Sequence, residues 1–397
     1  MHFILGLMVI CLSVMSQAAV WTNQNSWNTD YEKKYQEWVR ANWTADYFTK
    51  PGPFQNVKLD CADAVYALRM IFSYENKLPF VMNDPTGGRK KISNEMSRWD
   101  AQPEAQRARS FLLYLFGVLS TASLPDDSYP VSLQRSVLNS GSFILTDRKN
   151  HHAWTIHSFS QYGIPFLIYG SRPPTTKLYT RNEYPTVGFL FPNGINPASK
   201  AGFRNFKQPE QLSTPSLQVS GASLEQYELP SNRWSSSIQK KMAMIEETAE
   251  ARAERLLETA CQSLKDRISV VIAADSLNRK LGSQCMDATQ YDDFSTPNRD
   301  QRFLGNMLEI QSLAGDKNSL SSRTLQKLES VLSGEISRAD SNAFCRQEVQ
   351  SGLWISLGQA SERIQKNKLS SNPMDAIERR WGFNESSSEK ARRCPQY

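Results

Sequence analysis

The placement of cysteine limits the fold of this chain more than any other sequence feature. The 397-residue sequence has six cysteines, and four of them lie from residue 261 onward: Cys261, Cys285, Cys345 and Cys394. In an exported protein such a group predicts two disulfide bonds, with three possible pairings that the spacing does not decide. The C-terminal part of the chain, from Cys261 onward, should therefore be cross-linked, and Cys61 should remain unpaired.

Export is predicted by the first 18 residues, which have the pattern of a secretory signal peptide. Residues 3–15 form an apolar run, and Ser16-Gln17-Ala18 supplies the small residues expected before a cleavage site. Cys11 lies inside this run and would be removed with it. The run is too short to span a membrane, and no later stretch reaches that length. We therefore expect a periplasmic or secreted protein with no stable membrane insertion after signal cleavage.

Cys61 stands at the predicted start of a helix. Asp60 is a good N-cap residue, and apolar residues recur at helical spacing from Ala64 until Pro79, which ends the pattern. A thiol in the first turn of a helix lies near unpaired backbone N–H groups and the positive end of the helix dipole, which lower its pKa. Cys61 is therefore a candidate nucleophile, and the alternative is a small buried side chain.

The histidines that follow the signal peptide lie in one short segment: His151, His152 and His157. The segment 152–159 has the residue pattern of a strand, in which side chains alternate between the two faces. His152 and Trp154 should share one face, and His157 should lie on the other. We favour His152 as the base for Cys61 because it begins the apolar face, with His151 as the alternative.

The periodicity of the remaining sequence predicts two domains, 19–225 and 226–397. In the first, a helix over 104–121 precedes predicted strands over 142–146, 152–159, 165–169 and 186–191. An antiparallel meander that follows helices is typical of an α+β fold.

The second domain is predicted to be mainly α-helical. Apolar residues recur at helical spacing through 234–274, as one helix or two joined helices, and further helices are expected over 301–314, 322–336 and 340–360. Thr296-Pro297 is a good pair for an N-cap and first helical position, so we interpret the polar stretch 291–300 as a helix start rather than a binding site.

Residue spacing and charge argue against several kinds of ligand. The cysteines are too far apart for a zinc site and the histidines are confined to one segment, so neither a metal nor a cofactor is predicted. The net charge of +6 is spread along the chain without an accompanying basic and aromatic motif, so nucleic acid is not an expected partner. The charge does suit an anionic polymer or surface.

Three segments of the first domain resemble a known family. Asp60-Cys61 at a helix start, Gly141-Ser142-Phe143-Ile144-Leu145 as a strand, and His152-Ala153-Trp154-Thr155-Ile156 entering the next strand resemble the NlpC-like branch of the papain-like cysteine peptidases. His152-Ala153-Trp154 also resembles the transglutaminase-like branch of the same superfamily. The resemblance covers about 60–175. It implies a papain-like core, in which the helix carrying Cys61 packs on a small antiparallel sheet.

The resemblance also implies a chemistry. Cys61 would attack an amide carbonyl, and His152 would act as base and later as proton donor. The third, orienting residue should be polar and on the next strand, where Ser171 is one candidate and Gln161 another. Exported members of this branch commonly cut cell-wall peptide, so the expected function is a cysteine peptidase or amidase. The alternative is a non-catalytic exported binding protein on the same fold, and acyl transfer to an amine is a third possibility.

Overall fold

The computed structural model describes residues 19–87, 91–316, 318–334, 344–383 and 394–397. The predicted signal peptide therefore lies outside the described residues. The chain is a mixed helix and strand protein with two disulfide bonds. Its helices are α1 (Thr29–Asn42), α2 (Cys61–Glu75), α3 (Glu104–Val118), α4 (Val187–Leu190), α5 (Trp234–Met242), α6 (Ala249–Leu281), α7 (Ala288–Phe294), α8 (Pro297–Gly315), α9 (Ser322–Ser333), α10 (Leu357–Gln365) and α11 (Ile377–Arg380).

The strands form one large sheet and two hairpins. They are β1 (Val81–Asn83), β2 (Lys91–Ser93), β3 (Ser128–Pro130), β4 (Phe143–Leu145), β5 (Ala153–Phe159), β6 (Pro165–Tyr169), β7 (Tyr179–Arg181), β8 (Gly202–Phe206), β9 (Gln347–Gln350) and β10 (Leu353–Ile355). The large sheet has the order β3-β8-β4-β5-β6-β7, with each neighbouring pair antiparallel. The predicted strands at 142–146, 152–159 and 165–169 correspond to β4, β5 and β6, which are neighbours in this sheet.

The strand predicted over 186–191 is wrong, because this segment forms the short helix α4. Its apolar run Val187-Gly188-Phe189-Leu190-Phe191 lacks the alternation of a half-buried strand, and short runs of this kind fit either structure. Leu190 and Phe191 are buried in the cluster that also holds Trp234. The sheet is completed instead by β8, which lies between β3 and β4.

The two faces of the sheet are covered by different parts of the chain. Phe143 and Ala153 point to the face that packs with α1, α2 and α3. Their strand neighbours Ile144 and Trp154 point to the other face, where they pack with Trp234 of α5. Helix α5 therefore belongs to the core of the sheet, although the boundary predicted at 225/226 assigned its sequence to the second domain.

Helices α6, α8, α9 and α10 share a separate hydrophobic cluster. The longest of these helices is α6, with 33 residues. The segment 234–274, predicted as one helix or two joined helices, forms two helices, α5 and α6, separated by 243–248. The helix predicted over 340–360 is wrong in its described part, where a β9–β10 hairpin precedes α10. Alternating burial in the strands and a turn through Gly352, with a φ of +77°, explain the hairpin.

Disulfides join Cys261 to Cys345 and Cys285 to Cys394. The predicted pair of C-terminal disulfides is confirmed, and so is Cys61 as the free cysteine of the described residues. Bonds of this kind are typical of proteins that leave the cytosol. In the described part of the chain, no helix is long and apolar enough to span a membrane.

Candidate functional site in the cleft beside Cys61

The start of α2 is fixed by a reciprocal cap, as its sequence predicts. The Asp60 carboxylate accepts a hydrogen bond from the Asp63 N–H at 3.0 Å, and the Asp63 carboxylate accepts one from the Asp60 N–H at 2.9 Å. The end of β6 lies directly against this cap. A Cβ placed on Gly170 would be 2.0 Å from the Asp60 carbonyl oxygen, so only glycine allows this approach.

The Cys61 sulfur is surrounded by backbone groups of the chain entering β5. Its thiol donates a hydrogen bond to the His151 carbonyl oxygen at 3.5 Å, and the backbone N–H groups of Ala153 and Ala62 lie near enough to influence its ionisation. Only 6% of the residue is exposed. Burial, followed by the negative charge of Asp60, raises the pKa of Cys61 to about 12, although the N–H groups act in the opposite direction.

His152 turns its ring toward an aromatic pocket on the sheet face that holds Trp154. The ring lies edge-on to Trp154, with centroids 4.3 Å apart, and 5.5 Å from the Tyr169 ring. The expectation that His152 and Trp154 share a face is thus confirmed. Burial, followed by the nearby positive charges of Arg181, Arg299 and Arg302, lowers the pKa of His152 to about 3. The imidazole is therefore neutral at pH 7.

Cys61 and His152 line the same cavity, which has a volume of about 1950 Å³ and lies between the sheet and helices α6 and α8. Their side chains do not hydrogen-bond to each other in the described structure. The sulfur instead contacts the peptide group that precedes His152, through the His151 carbonyl oxygen, and the Ala153 N–H lies near it. The structure therefore places the thiol beside the backbone next to His152, whereas the imidazole ring of His152 faces Trp154 and Tyr169.

The other candidate residues have different partners. His151 is exposed and has a φ of +44°, and it contributes its carbonyl oxygen to the sulfur. Ser171 accepts a hydrogen bond from Arg299 at 3.4 Å. The backbone carbonyl of Gln161 accepts hydrogen bonds from the N–H groups of 244 and 245. Among the described residues, neither Ser171 nor Gln161 is bonded to the His152 ring, so no orienting partner for the imidazole is identified.

Sequence reasoning missed the arginines that line the cavity. Arg302 of α8 pairs with Asp266 at 3.0 Å and contacts the Tyr169 hydroxyl at 3.4 Å, and Arg181 pairs with Glu183 at 2.7 Å. Helix α8 begins at Pro297, as predicted, but its role as a cavity wall was not recognised. The available signal was a polar stripe at helical spacing beside the apolar core positions: Arg299, Arg302, Asn306 and Glu309.

Metal ligation is not indicated by the described residues, which contain no group of three or more His, Cys, Asp or Glu side chains placed to hold an ion. Comparison of the chain with protein-family models, curated proteins and solved structures gives no match. Function therefore has to be inferred from the cavity itself.

Proposed function

We propose that this chain is an exported cysteine hydrolase with a papain-like core, in which Cys61 is the nucleophile and His152 the base. One observation carries the proposal: the Cys61 sulfur is hydrogen-bonded to the His151 carbonyl oxygen, directly before His152, at the start of a helix and in the wall of a large cavity. The proposal requires the His152 side chain to rotate away from Trp154 and toward the sulfur.

The reaction would be hydrolysis of an amide in two steps. The thiolate attacks the carbonyl carbon, and the imidazolium formed by deprotonation of the thiol protonates the leaving amine, which produces an acyl-enzyme. His152 then removes a proton from water, which attacks the thioester and releases the acid and the free thiol. No oxidant, metal or cofactor takes part in either step.

The described conformation would be a resting state. The proton remains on sulfur because the pKa of Cys61 is about 12 and the pKa of His152 is about 3. Transfer of this proton requires an imidazole that is in contact with the thiol and away from Trp154. The hydrolase proposal therefore includes a rotation of His152 when a ligand enters the cavity.

The export compartment and the substrate class are parts of the same proposal. The two disulfides and the predicted signal peptide suit a periplasmic or secreted protein. Cell-wall peptide is the substrate class that the resemblance to the NlpC-like branch implies. The net charge of +6 favours an anionic polymer of this type.

The test is covalent labelling with peptides that carry a nitrile or chloromethyl ketone in place of the scissile amide. At pH 7 the native protein should gain one adduct on Cys61, detected by intact mass and peptide mapping. His152→Ala should lose this labelling. His151→Asn is the matched control, because asparagine tolerates the positive φ and the backbone carbonyl is retained. Labelling of the native protein that is equal in wild type and His152→Ala would contradict the proposal.

The second candidate is a non-catalytic binding protein that uses the same cavity. Two observations favour it. The pKa of Cys61 is high and that of His152 is low, so the proton stays on sulfur, and the His152 ring packs on Trp154. In this case Cys61 would react with the peptide electrophiles only after denaturation. The same labelling experiment therefore separates the two candidates.

A further inference from the structure

Arg299 is one of the arginines that line the cavity. Arg299 is half-buried in the first turn of α8, and its guanidinium donates to the Ser295 carbonyl at 3.2 Å and to the Ser171 hydroxyl at 3.4 Å. Among the described residues, no carboxylate lies within ion-pair distance of it. An arginine side chain has five N–H donors, so three of those of Arg299 have no partner among the residues that the structure describes.

The neighbouring arginines are different because each has a carboxylate. The pairs are Arg181 with Glu183 at 2.7 Å, Arg302 with Asp266 at 3.0 Å and Arg172 with Asp293 at 3.0 Å. Arg299 therefore differs from these three arginines in having no ion pair among the described residues. Within that part of the chain, its guanidinium is hydrogen-bonded only to the neutral oxygens of Ser295 and Ser171.

Arg299 lies close to the proposed reaction site. Its partner Ser171 follows β6 by two residues, and Tyr169 at the end of β6 has its ring 5.5 Å from the His152 ring. Ser171, His152 and Cys61 line the same cavity as Arg299. A group bound to Arg299 would share the cavity with any ligand that reaches the thiol.

We propose that Arg299 binds a carboxylate group of the ligand that enters this cavity. The planar guanidinium matches a carboxylate with two parallel hydrogen bonds. The single positive charge of a guanidinium matches a monoanion better than a phosphate monoester, whose charge at pH 7 is about −1.5 to −2. The inference goes beyond the hydrolase proposal, because binding at Arg299 needs no reaction at Cys61.

The experiment measures binding of matched peptide probes to the full-length mature protein. A pool of N-acetylated dipeptides of varied sequence is presented first as free acids and then as C-terminal amides, and binding is followed by ligand-observed NMR. The free acids should bind about tenfold to a hundredfold more tightly than the amides, as expected for a hydrogen-bonded ion pair. Arg299→Gln should abolish this preference, and Arg299→Lys should retain part of it.

Two further variants test whether the preference for free acids depends on Arg299 alone. Arg252→Gln is the matched control, since Arg252 lines the same cavity but is exposed and paired with Glu309 at 3.1 Å. It should keep the preference for free acids. Cys61→Ala should keep it as well, so failure of the hydrolase proposal leaves this result unchanged.

Several outcomes would overturn the inference. They are equal binding of acids and amides, no binding of any free acid at about 10 mM, a preference that persists in Arg299→Gln, and loss of the preference in Arg252→Gln or Cys61→Ala. Inorganic phosphate is the third probe. If phosphate binds more tightly than the free acids and requires Arg299, the site is a phosphate site and the carboxylate assignment is wrong.

Discussion

The Cys61 thiol donates to the carbonyl oxygen of His151 at 3.5 Å, so the candidate nucleophile is packed against the residue directly before its candidate base, His152. The contact places the sulfur in a buried position, beside the negative charge of Asp60. Both effects oppose ionisation, and they outweigh the helix N-terminus that should favour it. The pKa of Cys61 is consequently about 12 rather than the usual value of 9.0.

Native Cys61 should therefore react slowly with a small, unspecific electrophile. A pKa of about 12 lowers the thiolate fraction at pH 7 about a thousandfold relative to an unperturbed thiol, and burial also limits access. The rate of iodoacetamide alkylation, followed by intact mass from pH 6 to 11, should still be rising at the highest pH. Protein unfolded in urea with its disulfides intact is the control and should react at the ordinary rate. If the alkylation rate of the native protein has its titration midpoint below pH 9, burial and Asp60 do not raise the pKa of Cys61 and this prediction is wrong.

His152 should make the folded state less stable in acid. Its pKa is about 3 in the folded protein and near the ordinary 6.5 in the unfolded chain, so between these values only the unfolded chain binds the proton. The free energy of unfolding should therefore fall as the pH drops from 6.5 toward 3, by about 5 kcal/mol at most.

Two buried carboxyls act in the opposite direction over part of this range. Burial raises the pKa of Asp63 to about 7 and that of Asp127 to about 6, so protonation of these groups favours the folded state. The contribution of His152 is isolated by urea unfolding of wild type and His152→Asn at several pH values. Wild type should lose more stability than the variant between pH 7 and pH 4. Parallel curves would mean that His152 is not held neutral by the fold.

Local sequence signals were sufficient for the helix that carries Cys61 and for the centre of the sheet. Asp60 and Pro79 delimit a helical pattern, and turn residues separate β4 from β5. The four C-terminal cysteines likewise predicted cross-links, although their pairing depends on which helices pack together. These elements are specified by residues close to one another in the chain.

The rest of the site depends on contacts between distant segments. Arg302 meets the Tyr169 hydroxyl across 133 residues of sequence, and Arg299 meets Ser171 across 128. No local pattern predicts such pairs. The direction of the His152 ring was predictable from strand alternation, but the position of the Cys61 sulfur beside the His151 carbonyl was not, because it follows from the packing of α2 against the end of β6.

Gly170 should be essential for this packing. Alanine at this position would place its Cβ 2.0 Å from the Asp60 carbonyl oxygen, so the start of α2 would have to move away from β6. We expect Gly170→Ala to destabilise the protein by about 1–3 kcal/mol in urea unfolding and to accelerate alkylation of Cys61. Gly117→Ala in α3 is the control, since a Cβ there meets no atom within 4 Å and alanine favours an exposed helix. Equal stability of the two variants would argue against a close contact at Gly170.

Arg302 should be the strongest electrostatic link between the helices and the sheet. Its guanidinium pairs with Asp266, whose side chain is only 5% exposed, and also contacts Glu183 at 3.6 Å. Arg302→Met would leave the Asp266 carboxylate buried without its countercharge, which typically costs about 3–5 kcal/mol. Arg252→Met removes an arginine whose pair with Glu309 is about half exposed, so its effect should be below about 1 kcal/mol.

The double variant Arg302→Met/Asp266→Leu decides whether the cost of removing Arg302 comes from the unpaired charge. Replacing both partners removes the buried carboxylate, so urea unfolding should recover most of the stability that Arg302→Met loses. If the double variant is as unstable as the single one, the contribution of Arg302 lies in its contacts with Tyr169 and Glu183 instead. In that case the arginine would act by fixing β6 and β7 against α8, and Arg302→Met should also weaken the preference of the cavity for free acids, because Arg299 lies one helical turn away on the same face.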